Sequence, residues 1–162
     1  MIITNEMYKE IGLPNWDSIY QKLFDRDMTP LEVFDRHDEG TLWEYYPIDD
    51  RIEIILHVLS KDQLIEFMAR ICDQCGDEYA GKGIRDGKAD QTLVNRLYRP
   101  GSEHPKNHTS MKRIVVIGAV IAAWAEPEGS RRAVVYNFMT SLKQHNYAAV
   151  HFIIRDAIAA IK

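Results

Sequence analysis

The stretch SKDQLIEFMARICDQCG, residues 60–76, decides the fold class, because it holds a helix start, an apolar stripe and a helix stop in one run. Ser60 and Gln63 stand at capping-box spacing, where each side chain satisfies a backbone N–H that a helix N-terminus otherwise leaves open. Leu64, Met68, Ile71, Cys72 and Cys75 then recur at i, i+4, i+7, i+8 and i+11, one face of a 3.6-residue helix, and Gly76 supplies the stop. The spacing predicts an amphipathic core helix.

The same grammar extends in both directions. Asn15 can cap a helix carrying Trp16, Ile19, Tyr20 and Leu23, and Thr29-Pro30-Leu31-Glu32 reads as a second capping box with proline at the first helical position. After Gly40 and Pro47, Asp49 or Asp50 opens a helix whose Ile52, Ile55, Leu56 and Leu59 keep the helical period. Four glycines and many charges over 76–88 predict a loop, followed by a short helix over 90–98 and a second loop over 99–108. Further helices are predicted over 110–125, 130–144 and 147–161. The last has the clearest stripe, Val150, Ile153, Ile154, Ala157, Ile158 and Ile161. No strand alternation or repeat interrupts this pattern, so the expected fold is all-α, one helical bundle domain over 1–162 with about seven to nine helices.

At 162 residues, with 46% apolar and 27% charged side chains, the chain is long enough to bury a real core. The N-terminal MIITNEMYKEIG lacks the basic and long apolar regions of a signal peptide, and the longest apolar run, 114–125, has 12 residues, too few for a bilayer. Two cysteines without a secretory signal fit a reducing compartment. The expectation is a cytoplasmic protein with no membrane partner.

Charge is unevenly distributed. Positions 1–81 hold 18 Asp and Glu against 7 Lys and Arg, and positions 82–162 hold 6 against 13, so the net −4 hides an acidic half and a basic half. Either the two halves face each other, or the acidic half faces a basic partner. The segment DRDMTPLEVFDRHDEGTLWEYYPIDD, residues 25–50, favours the second arrangement. It interleaves Phe34, Trp43, Tyr45 and Tyr46 with Asp35, Asp38, Glu39, Glu44, Asp49 and Asp50. Buried aromatics anchor interfaces and peripheral charges steer them, so Asp38, Glu39, Trp43, Glu44, Tyr45, Tyr46, Asp49 and Asp50 are the candidate partner-binding residues.

Other chemistries are less well served. Cys72 and Cys75 with His104 and His108 have the ligand types of a tetrahedral zinc site, but 28 residues separate the pairs and the apolar stripe already accounts for both thiols. As a redox pair the cysteines sit at the wrong helix end, beside Asp73 and Asp77. A metal-dependent hydrolase would draw on His37, Asp38, Glu53, His57, His145 and His151. The dipeptide His37-Asp38 resembles that of the all-α HD phosphohydrolases, yet no histidine precedes position 37. Glu53 and His57 are spaced i, i+4, unlike the i, i+3 pair of di-iron bundles, and His145 and His151 do not stack on one face as in the three-histidine site of the DinB superfamily. Phosphate-binding glycine motifs, nucleophile elbows and H-E-x-x-H are absent, so no cofactor and no catalytic residue is expected. The basic stretch 82–113 has a balance of +5 and could touch phosphates, although a pI of about 5.9 for the whole chain argues against dedicated nucleic-acid binding. A helical adaptor that binds another helical protein is the remaining alternative.

The piece Glu44-Tyr45-Tyr46-Pro47-Ile48-Asp49-Asp50 resembles the Tyr-Tyr-Pro segment, set among acidic residues, by which the small immunity proteins of DNase colicins grip their toxins. The resemblance covers about seven of the 162 residues and does not extend to the other helices of those proteins. It implies an acidic helical inhibitor of a basic toxin domain, with Tyr45 and Tyr46 as buried anchors. Asp38, Glu39, Glu44, Asp49 and Asp50 would then be the charges that pair with the toxin or steer it.

Overall fold

A computed structural model describes residues 1–11, 26–35, 48–98, 110–124, 134 and 147–161. Among these the fold is all-α: eight helices, with one isolated antiparallel bridge between Ile3 and Met28. No helix of the described residues is long and apolar enough to cross a membrane. The helices predicted over 15–24 and 130–144 and the loop predicted over 99–108 lie outside the described residues, except that Val134 is helical and buried.

The chain divides into two compact units, the first spanning Met1–Leu59 and the second Ser60–Ile161. In the first unit, α1 (Asn5–Ile11) and α2 (Pro30–Asp35) both pack on α3 (Ile48–Val58). Helix α2 starts as its sequence predicts. Thr29 N–H donates to Glu32 Oε2 at 2.9 Å and Glu32 N–H donates back to Thr29 Oγ1 at 3.2 Å, the two halves of a capping box. Arg26 adds an ion pair to Glu32 at 3.1 Å. These contacts hold the Glu32 carboxyl below the usual range, the Thr29 backbone donor contributing most. Helix α3 is apolar on more than one face, with Ile52, Ile54, Ile55, Leu56 and the following Leu59 all buried, as a central helix requires. The Ile3–Met28 bridge ties the start of the chain to the entry of α2 through reciprocal N–H···O bonds of 2.7 and 3.0 Å.

The second unit is built around α4 (Lys61–Gln74), the helix predicted from residues 60–76. Gln63 N–H donates to Ser60 Oγ at 3.2 Å and Ser60 N–H donates to Gln63 Oε1 at 3.0 Å. Its predicted stripe is the buried face: Leu64, Met68, Ile71, Cys72 and Cys75 are all in the core, with Phe67 and Ala69 widening it. At the other end Gly76 adopts φ +81°. Gly76 N–H reaches Asp73 O at 2.8 Å and Asp77 N–H reaches Cys72 O at 2.9 Å, a Schellman stop in which only glycine avoids strain at C′.

The loop predicted over 76–88 is instead largely helix. Asp77 caps α5 (Glu78–Arg85), accepting from Ala80 N–H at 2.9 Å, and a second Schellman stop at Gly87 (φ +68°) ends it. Gly81, inside α5, has a packing reason. A Cβ on Gly81 would lie 2.9 Å from the Ala69 carbonyl oxygen of α4 and inside the volume of the Asp73 carboxylate, so the bare backbone lets α5 lie close on α4. Arg85 then locks the pair, its guanidinium forking between Glu66 Oε2 at 2.9 Å and Asp73 Oδ2 at 2.7 Å, two turns apart on α4. Helices α6 (Gln91–Tyr98), α7 (Ser110–Trp124) and α8 (Tyr147–Ala159) match their predicted spans to within two residues. Both α7 and α8 pack on α4, and α6 packs on α7. Asp90 Oδ1 caps α6 by accepting from Leu93 N–H at 2.8 Å.

Candidate functional site

The candidate segment is strung between two anchored points. Helix α2 ends at Asp35 and α3 begins at Ile48, so 12 residues, 36–47, join them. At this base Arg51 Nη1 donates to the backbone oxygen of Phe34 at 2.6 Å, and its guanidinium carbon stands 5.7 Å from the centroid of the Phe34 ring. The arginine is only 1% exposed and the ring is fully buried, so a charge-assisted bond in a low-dielectric setting fixes the exit of α2 against the first turn of α3.

Six of the eight predicted partner-binding residues, Asp38, Glu39, Trp43, Glu44, Tyr45 and Tyr46, lie outside the described residues. The backbone of the other two, Asp49 and Asp50, lies in the first turn of α3. Phe34, one of the interleaved aromatics, belongs to the core and is unavailable to a partner. Arg51 is the residue that sequence reasoning missed. Its signal was its place: Arg51, Ile55 and Leu59 stand at i, i+4 and i+8 on a stripe where an apolar residue is expected.

Among the described residues, those considered for metal chemistry do not gather. Cys72 lies in the last turn of α4 and Cys75 is its C-cap, both buried. Burial pushes the Cys72 thiol well up, with Cys75, Asp77 and Asp73 adding to the effect, and pushes Cys75 up to about 12. His104 and His108 lie outside the described residues, as do His37, Asp38 and His145. His57 Nδ1 lies 3.3 Å from the backbone oxygen of Glu53, and His151 sets its ring edge-on to Phe152 with centroids 6.2 Å apart. Among the described residues no three His, Cys, Asp or Glu side chains form a metal-sized group.

The cations of 82–113 separate by role. Arg85 is committed to Glu66 and Asp73, and Arg113 Nε donates to Leu97 O at 2.9 Å near the C-terminus of α6. Lys82, Lys88 and Arg96 converge on a cleft. Arg99 and Lys106 lie outside the described residues. Comparison with models of known families, with curated proteins and with solved structures gives no match for this chain.

Proposed function

We propose that the chain is a non-enzymatic neutralising protein, of the immunity or inhibitor kind, that acts in the cytoplasm. It binds a basic protein toxin or its catalytic domain through Asp38, Glu39, Trp43, Glu44, Tyr45, Tyr46, Asp49 and Asp50. The observation that carries this reading is that charge separates along the same boundary as the two units. Met1–Leu59 holds 13 Asp and Glu against 5 Lys and Arg, whereas Ser60–Ile161 holds 11 against 14. The acid surplus therefore belongs to the unit that carries the aromatic segment and its Arg51 anchor. A basic toxin presents a positive surface, and a protein that must reach it before damage occurs gains from steered encounter followed by a desolvated aromatic contact.

The test is kinetic, made against the basic protein that the chain retains from lysate of its source organism. Reversing charge with Glu39→Lys and Glu44→Lys lowers the association rate about tenfold or more at low salt and much less at high salt. Replacing Tyr45 and Tyr46 by Ala acts on dissociation, raising its rate by about 30-fold or more per anchor of roughly 2 kcal/mol. Unchanged rates in both variants would remove the segment from the interface.

A further inference from the structure

We propose that the cleft between α5 and α6 is a binding site for a small organic phosphate, a nucleotide or sugar phosphate. The cleft has a volume of about 460 Å³, which suits a small molecule. Three cations reach it from three consecutive pieces of chain: Lys82 from α5, Lys88 from the turn after Gly87, and Arg96 from α6. Such a cluster matches a multiply charged anion with several acceptor oxygens.

The cleft is more than a solvated basic surface. Arg96 is held in place, donating through Nη1 to the Tyr79 hydroxyl with its guanidinium 5.8 Å from the centroid of the same ring. That contact holds a planar donor fork at the cleft wall before any ligand arrives. Lys82 is exposed and has no ion-pair partner among the described residues. Lys88 stands 3.8 Å from Asp86, a loose, exposed pair that a stronger anion can displace.

The rest of the lining fits an organic body carrying hydroxyl groups. Tyr79 leaves half of its surface, 52%, open, and Leu93 adds an apolar wall. Asp90 also lines the cleft, and with Oδ1 accepting from Leu93 N–H its second carboxylate oxygen can accept from a ligand hydroxyl. Every residue lining the cleft belongs to the second unit.

The full chain, labelled for amide NMR, is titrated with ADP, ribose 5-phosphate and inorganic phosphate, and separately with a short single-stranded DNA. The proposal expects saturable shifts at residues 82, 88, 93 and 96 with at least one organic phosphate, and tighter binding of it than of inorganic phosphate. Lys82 and Lys88 are both exposed, so Lys82→Ala with Lys88→Ala keeps the fold and weakens binding about tenfold or more. The proposal is overturned by the absence of saturable shifts, by equal affinity in the double variant, or by inorganic phosphate binding as tightly as the organic ones. Saturation by the oligonucleotide alone would replace it with a nucleic-acid site.

Discussion

Replacing Gly81 by Ala sets two effects of known size against each other. An alanine in a helix interior is favoured over glycine by about 0.8–1.0 kcal/mol, so propensity alone predicts a more stable protein. The new Cβ, however, would sit 2.9 Å from the Ala69 carbonyl oxygen, which belongs to the α4 backbone and cannot rotate aside, and within the volume of the Asp73 carboxylate. Overpacking of this kind costs about 1–3 kcal/mol, and moving Asp73 also disturbs its partly exposed pair with Arg85, worth at most about 1 kcal/mol. Taken at their midpoints, these terms net to a loss of about 1–2 kcal/mol. Gly83→Ala is the control, because its Cβ would meet only Leu93 Cδ2 at 3.0 Å and Leu93 Cδ1 at 3.9 Å, the tip of a flexible side chain. It should leave stability unchanged or raise it by up to about 1 kcal/mol. Urea titrations followed by far-ultraviolet circular dichroism read the difference. At an m-value near 2 kcal/mol per molar, Gly81→Ala lowers the midpoint by roughly 0.5–1 M, and Gly83→Ala does not. A Gly81→Ala protein as stable as the native chain would refute the close packing of α5 on α4.

Arg51→Met keeps much of the side-chain volume but removes the donor to the Phe34 oxygen, a bond to a charged group worth about 1.5–3 kcal/mol. Thermal unfolding should show that loss, and partner binding should weaken in the same variant if the anchored base presets the segment. The Glu66 carboxyl is held below its usual range chiefly by Arg85 and then by Arg70. Its folded pKa lies below its unfolded one, so it contributes stability above the unfolded value near 4.5 and loses it as pH falls through the lowered value. Arg85→Gln should raise the Glu66 pKa, read by carboxyl NMR, and flatten the acid limb of the stability curve in that window. With burial holding Cys75 at about 12 and Cys72 well above the ordinary thiol value, both should resist thiol reagents at pH 8 and react fast once unfolded in urea. Rapid labelling of the native protein would contradict their burial.

Signals that act within a few residues were legible. Thr29 with Glu32 and Ser60 with Gln63 announced two helix starts, and both boxes close as their spacing requires. Signals that depend on a neighbouring helix were not. Gly81 reads as a helix breaker unless one knows that Ala69 lies against it, and so α5 passed for loop. Helix α1 has only seven residues and one buried side chain, Tyr8, too little periodicity to stand out, and it owes its place to the Ile3–Met28 bridge and to α3. The candidate site divides in the same way. The acidic and aromatic composition of residues 38–50 is plain in the sequence, but the core role of Phe34 is not, because acidic neighbours in sequence do not tell a core ring from a surface one. Arg51, in an Asp-Asp-Arg run, looks like solvated charge, and only its burial and its bond to the Phe34 oxygen show it as a link between α2 and α3.

Capture from lysate decides whether residues 38–50 hold a basic partner. The native chain and a folded Glu39→Lys, Glu44→Lys, Tyr45→Ala, Tyr46→Ala variant are each offered to lysate of the source organism in which candidate partners are expressed. The native chain alone should retain one basic protein, and this protein should be toxic when produced by itself and harmless when produced with the native chain. Retention of the same protein by both forms, or of none by either, would contradict that expectation.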